Sequence, residues 1–147
     1  MKIYLDACCL NRPFDDQRQP RVHLESEAIL LILQKLHQRE WEWIGSEVLF
    51  YELTQTNDVE RKERLLLLAR QAHKVIETTE KILAQAEKLE SSGFDGYDAI
   101  HLASAEQSKV DIFLTTDDNI QKISSRNKKL FSFIVTNPVK WLEEVLK

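Results

Sequence analysis

Apolar residues change period several times along the chain, and each change predicts an element. "KIYLDA" is a short apolar run of strand formers closed by an acid, and Pro13 and Pro20 bound the polar, loop-like stretch "RPFDDQRQP". From Arg21 to Arg39, Val22, Ile29, Ile32, Leu33 and Leu36 recur at helical spacing. "WEWI" then alternates as a strand does, and Ser46 is placed to cap a helix through "SEVLFYELTQ". Asn57 and Asp58 break that helix, and Asp58 is the expected cap of the next one, "VERKERLLLLARQAH". "KVIET" predicts a short strand, "TEKILAQAEKLESSG" a helix with a glycine stop, and "GYDAIHLASAEQ" another helix. The strand "DIFLTTDD", a helix from about Asn119 to Arg126, the strand "FSFIVT" and a helix begun by Pro138 complete the chain. Strands alternating with helices predict an α/β fold with a mostly parallel sheet and right-handed crossovers. Such sheets bind ligands outside the carboxyl ends of their strands.

Two acids break this pattern. At ~100° per residue, Asp98 falls between Leu102 and Ala105, in the arc that also holds Ala99 and Ala103. Glu52 shares an arc with Val48, Leu49 and Leu53, whereas Glu47 lies on the opposite side of its helix. An unpaired buried charge costs several kcal/mol, so such acids are paired, protonated or bound to a cation. Two further acids close strands: Asp6 ends the first, and Asp117 with Asp118 ends "IFLTT". Singly, Asp6 or Asp117 reads equally as a helix cap. In parallel strands their carboxylates emerge on one rim. Clustered carboxylates raise one another's pKa unless a divalent cation supplies positive charge, and hard oxygen donors suit Mg²⁺ or Mn²⁺.

Composition narrows the class. A chain of 147 residues with 43% hydrophobic and 30% charged positions is expected to form one globular domain, residues 1–147. Sparse punctuation, three Gly and three Pro, leaves no linker or repeat to divide it. No apolar run reaches the ~18 residues of a membrane span, and "MKIYLDACCL" lacks the features of a signal peptide, so a cytoplasmic protein is expected. Cys8 and Cys9 are adjacent and expected to be reduced thiols; without a further cysteine or paired His they do not suggest zinc. A formal charge of -4 argues against coating nucleic acid by bulk electrostatics, while "ERKER" and "RNKK" remain local clusters that reach phosphate or simply face solvent.

"IYLDACCL", "SEVLFYEL", "YDAIHLASA" and "FLTTDD" together resemble the four ordered motifs of the PIN-domain nucleases, the family that includes VapC toxins. The resemblance spans nearly the whole chain; each motif alone is little more than an acid after an apolar run, and their order and spacing carry it. It implies a three-layer α/β/α sandwich, Mg²⁺- or Mn²⁺-dependent cleavage of RNA, frequent homodimers, and often an antitoxin protein that blocks the site. The family's acids fall on Asp6, Glu52, Asp98 and Asp117. Cys8 departs from the pattern, standing where a small hydroxyl or amide residue is common, and Thr115 matches the hydroxyl before the last acid.

Hydrolysis of a phosphodiester needs an activated water and counter-charge for the phosphate, which metal ions supply. Asp6, Asp98 and Asp117 are accordingly expected to ligate metal, and Glu52 to ligate it or orient the attacking water. Asp118 reads as an alternate ligand or, preferably, the cap of the following helix. His101, three residues past Asp98, supports an acid or is simply a core histidine; Arg12 meets phosphate or solvent. A non-catalytic PIN-like module binding RNA or protein is the alternative, yet its expected mark is a lost acid and all four are present. A receiver domain needs adjacent acids after the first strand, and a DxDxT phosphatase needs an acid where Cys8 stands.

Overall fold

The computed structural model describes residues 1–146. Five strands, β1 (Lys2–Leu5), β2 (Glu42–Ser46), β3 (Lys74–Ile76), β4 (Ile112–Leu114) and β5 (Ile134–Thr136), form one sheet in the order β3-β2-β1-β4-β5. Every pairing is parallel, with Tyr4 opposite Ile44 on one side and Phe113 on the other. The helices are α1 (Ala7–Asn11), α2 (Pro20–His37), α3 (Glu47–Thr54), α4 (Val59–Ala69), α5 (Glu80–Ser91), α6 (Gly96–Gln107), α7 (Asp118–Arg126) and α8 (Pro138–Val145).

Alternation along β1 separates two apolar layers. Ile3 and Leu5 pack with Leu10, Ile29, Ile32, Leu49, Leu65 and Trp141 of the helices on one face. Tyr4, together with Ile44 and Phe113, packs with Ile82, Leu89, Leu102 and Ile120 on the other. This is the expected α/β/α sandwich, with an all-parallel sheet in place of a mostly parallel one. Strands buried on both faces read as apolar runs because both their residue sets find cover.

Local signals set the element ends. Ser46 Oγ accepts from Leu49 N at 3.2 Å and Asp58 Oδ1 from Arg61 N at 3.1 Å, so both expected caps form. Gly93 takes φ +110° just past α5, a backbone that side chains rarely adopt, and this turns the chain toward α6. One expectation fails: α7 begins at Asp118, and its cap is Asp117, whose Oδ1 accepts from Asn119 N at 2.8 Å and Ile120 N at 3.1 Å. The extended backbone of Asp117 faces its oxygen toward those N–H groups, whereas Asp118 is already helical. Asp118 is instead gripped by the Arg21 guanidinium through two hydrogen bonds of 2.8 Å.

Candidate active site

Five acids line one pocket of about 210 Å³: Asp6, Glu52, Asp95, Asp98 and Asp117, with Cys8, Tyr97 and His101 beside them. Chain direction explains the meeting. Asp6 follows β1 and Asp117 follows β4, so both leave the carboxyl rim of the sheet. Helix α6 leads back toward the start of β4, which places its first turn, with Asp98, on that same rim. Glu52 comes from α3, the helix entered directly from β2.

Asp6 is buried, and it is fastened: Oδ1 accepts from Cys9 N at 3.1 Å and from the Cys8 thiol at 3.0 Å. Burial pushes its pKa up, and donation from Cys8, Thr115 and the Cys9 backbone works against that rise. Burial also raises the Cys8 thiol, followed by the effect of the neighbouring Asp6 charge, so sulfur stays protonated and serves as donor. Cys8 thus supplies the polar support that a hydroxyl residue would supply. Both cysteines are free.

Asp98 is half-buried, and its pKa is pushed up to about 8, by burial first and then by Asp95, Asp6 and Asp117. The N-terminus of α6 favours negative charge, yet the carboxylates around it outweigh that. Asp95 caps α6, its Oδ1 accepting from Asp98 N at 3.1 Å. Sequence reasoning passed over this fifth acid, although Asp three residues before Asp98 and next to Gly96 carries an ordinary capping signal.

Glu52 is held through a buried chain that the spacing did not reveal. Leu49 N donates to Ser46 Oγ, which lies 2.5 Å from Tyr4 Oη; Tyr4 Oη is 2.6 Å from His101 Nδ1, and His101 Nε2 is 2.8 Å from Glu52 Oε1. With Glu52 a carboxylate and the imidazole in its neutral Nε2–H tautomer, Nε2–H donates to Glu52, Nδ1 accepts from Tyr4, and the Ser46 hydroxyl donates to Tyr4. His101 is thus both a core histidine and the support of an acid, and that acid is Glu52 rather than its helix neighbour Asp98. Tyr4, Ser46 and His101 are at most 1% exposed, and burial raises the Tyr4 pKa, keeping its proton in the chain.

A second polar network braces the neighbouring loop. Buried Glu25 accepts from Arg12 Nε at 2.8 Å, Arg21 Nε at 3.2 Å and Asn137 Nδ2 at 2.6 Å. Arg12 also binds Asp15, as does Arg61. Arg12 is therefore neither free for phosphate nor simply solvated.

The donor set fits a hard divalent cation in its chemistry: all-oxygen acids, and no lysine or arginine in the lining. Among the described residues no three His, Cys, Asp or Glu groups stand near enough together to hold an ion as they are. Binding would require these side chains to draw inward. The acidic pocket lies on the carboxyl rim of a parallel α/β/α sandwich. Residues 3–125 match the PIN domain family model, and the chain belongs to the PIN-domain family. Similar folds include a chain of the VapBC2 complex from Rickettsia felis bound to a DNA fragment from its promoter, with a TM-score of 0.58 and 13% identity over 93% of this chain and 98% of that one. A chain of VapBC-1 from nontypeable Haemophilus influenzae gives a TM-score of 0.60 and 15% identity over 94% and 98%. No curated protein matches the sequence. No helix among the described residues is long and apolar enough to cross a membrane.

Proposed function

We propose that this PIN-domain chain is a VapC-like endoribonuclease that hydrolyses RNA phosphodiester bonds with Mg²⁺ or Mn²⁺. The reading includes a cytoplasmic homodimer controlled by an antitoxin protein; the fold likeness to VapBC components supports the partner. One observation carries the catalytic part: five carboxyl groups share a small pocket whose lining contains no lysine or arginine. Such crowding is unfavourable for stability, and a cation-dependent reaction gives it a use.

Asp6, Glu52, Asp98 and Asp117 are the proposed metal-holding and catalytic residues. When bound, the cation supplies counter-charge to the phosphate and lowers the pKa of water. Glu52, fixed at one oxygen by His101, has its other oxygen to accept a proton from the attacking water. Cys8 and the Cys9 N–H hold Asp6 against the repulsion of its neighbours. As the water oxygen bonds to phosphorus, one P–O ester bond breaks and the leaving sugar oxygen takes up a proton from solvent, while the proton on Glu52 returns to solvent.

The test is cleavage of an RNA pool by purified protein, with and without chelator, beside Asp98→Asn prepared identically. Metal-dependent cutting by the parent that vanishes in the variant is expected. Binding of RNA without any cutting under Mg²⁺ or Mn²⁺ would favour a non-catalytic PIN-like module.

A further inference from the structure

Two exposed tyrosines flank the acidic pocket. Tyr51, beside Glu52 on α3, is 53% exposed, and Tyr97, beside Asp98 on α6, is 41% exposed. Their rings meet edge-on, with centroids 6.0 Å apart and 63° between planes. An edge-on pair engages one face of one ring and one edge of the other, so stackable surface remains toward water. Tyr97 also lines the pocket itself.

Two observations point to what that surface meets. At about 210 Å³, the pocket is smaller than the ~300 Å³ at which small-molecule sites begin. It has room for a phosphate and cations, and the base next to the scissile bond must lie on the lip. Second, Arg12, Arg21 and Arg61 are each already paired with Glu25, Asp15 or Asp118, and the chain carries a formal charge of -4. With these three arginines engaged, base–aromatic stacking offers a nucleic-acid strand a contact that is not ionic.

Resting on the nuclease reading, we propose that Tyr97, backed by Tyr51, is a stacking platform for an unpaired nucleobase of the strand to be cut. Bases inside a duplex are stacked on one another and offer no face to the ring, so the platform selects single-stranded substrate. Because stacking depends little on base identity, it supplies affinity without a strict sequence code.

The experiment uses an unstructured eight-nucleotide RNA carrying 2-aminopurine, mixed rapidly with protein and Mn²⁺ so that the binding phase is read ahead of the cut. Stacking quenches the probe. The parent is expected to quench it; Tyr97→Leu with Tyr51→Leu weakens binding about tenfold, the scale of one lost stack, raising KM far more than it lowers kcat. Phenylalanine at both positions, which keeps the rings, restores the quench. A duplex of the same sequence competes poorly. Equal quench and KM in the leucine double variant, or equal competition by duplex, overturns the platform while leaving the nuclease reading intact. A ring-dependent quench without cleavage keeps the platform and removes the nuclease reading. Circular dichroism and melting of the variants, whose altered side chains are exposed, check the fold.

Discussion

Asp98 is the residue at which helical periodicity and chemistry disagree. Its carboxyl is raised to about 8 because burial and three facing acids disfavour the anion. An unfolded Asp titrates near pH ~4, so between roughly pH 4 and pH 8 the folded state binds a proton that the unfolded chain has released. Stability from this group is full below that window and is lost as pH rises through it. Metal-free melts of the parent should therefore decline across this range more steeply than those of Asp98→Asn, which should match or exceed the parent at pH 8. Loss of ~3 kcal/mol in the variant, the scale of a broken buried ion pair, would instead make Asp98 a structural acid. The Glu52 chain gives a second test at this scale. Tyr4→Phe deletes the donor to His101 Nδ1 while keeping the ring stacked on Phe113, with centroids 5.1 Å apart. We expect about 1–2 kcal/mol of destabilisation from the unpaired buried nitrogen and a drop in kcat larger than any change in KM. Unchanged kcat would mean that the chain only stabilises the fold.

At the level of elements, caps and catalytic candidates overlap, and that overlap limited what could be read. Asp6 and Asp117 each accept from backbone N–H groups at the start of a helix and also line the pocket, so capping does not set either residue apart from the site. Asp117→Asn should retain the cap and nearly all stability, because Asn caps as well as Asp, whereas Asp117→Ala should lose ~1 kcal/mol in denaturant melts. Both should abolish RNA cleavage; an active Asn variant would leave Asp117 a cap alone. Element order was legible because apolar runs and cap residues are local signals: Ser46 and Asp58 cap where expected. The rim acids could be grouped because parallel topology fixes where strand ends emerge. Hidden from such reasoning were contacts between distant residues. Tyr4 and His101 are separated by 97 positions and Arg21 and Asp118 likewise by 97, and no periodicity in either segment points to the other.

For the whole molecule, the fold is a frame that gathers acids at one rim and braces the surrounding elements with contacts outside the pocket. The sheet buries its apolar strands on both faces, and Glu25 ties α2 to the loop after α1 through Arg12 and to the segment before α8 through Asn137. These contacts lie outside the pocket lining, so the repulsion that Asp95, Asp6 and Asp117 exert on Asp98 is met by a frame braced elsewhere. A ligand that binds the folded state alone raises stability by RT ln(1 + [L]/Kd). At Mn²⁺ one hundred times its Kd, that gain is about 2.7 kcal/mol. Thermal melts of the parent should therefore shift upward with rising Mn²⁺, with Mg²⁺ acting in the same direction, and chelator should return the metal-free midpoint. Asp98→Asn should start level with the parent or above it and gain much less, so the two curves cross as metal is added. Crossing separates a binding site from general screening, because salt that merely screened the acids would narrow the difference between the proteins without reversing it. Parallel curves, or a parent midpoint indifferent to Mn²⁺, would remove the metal from this pocket and with it the reason for its acids.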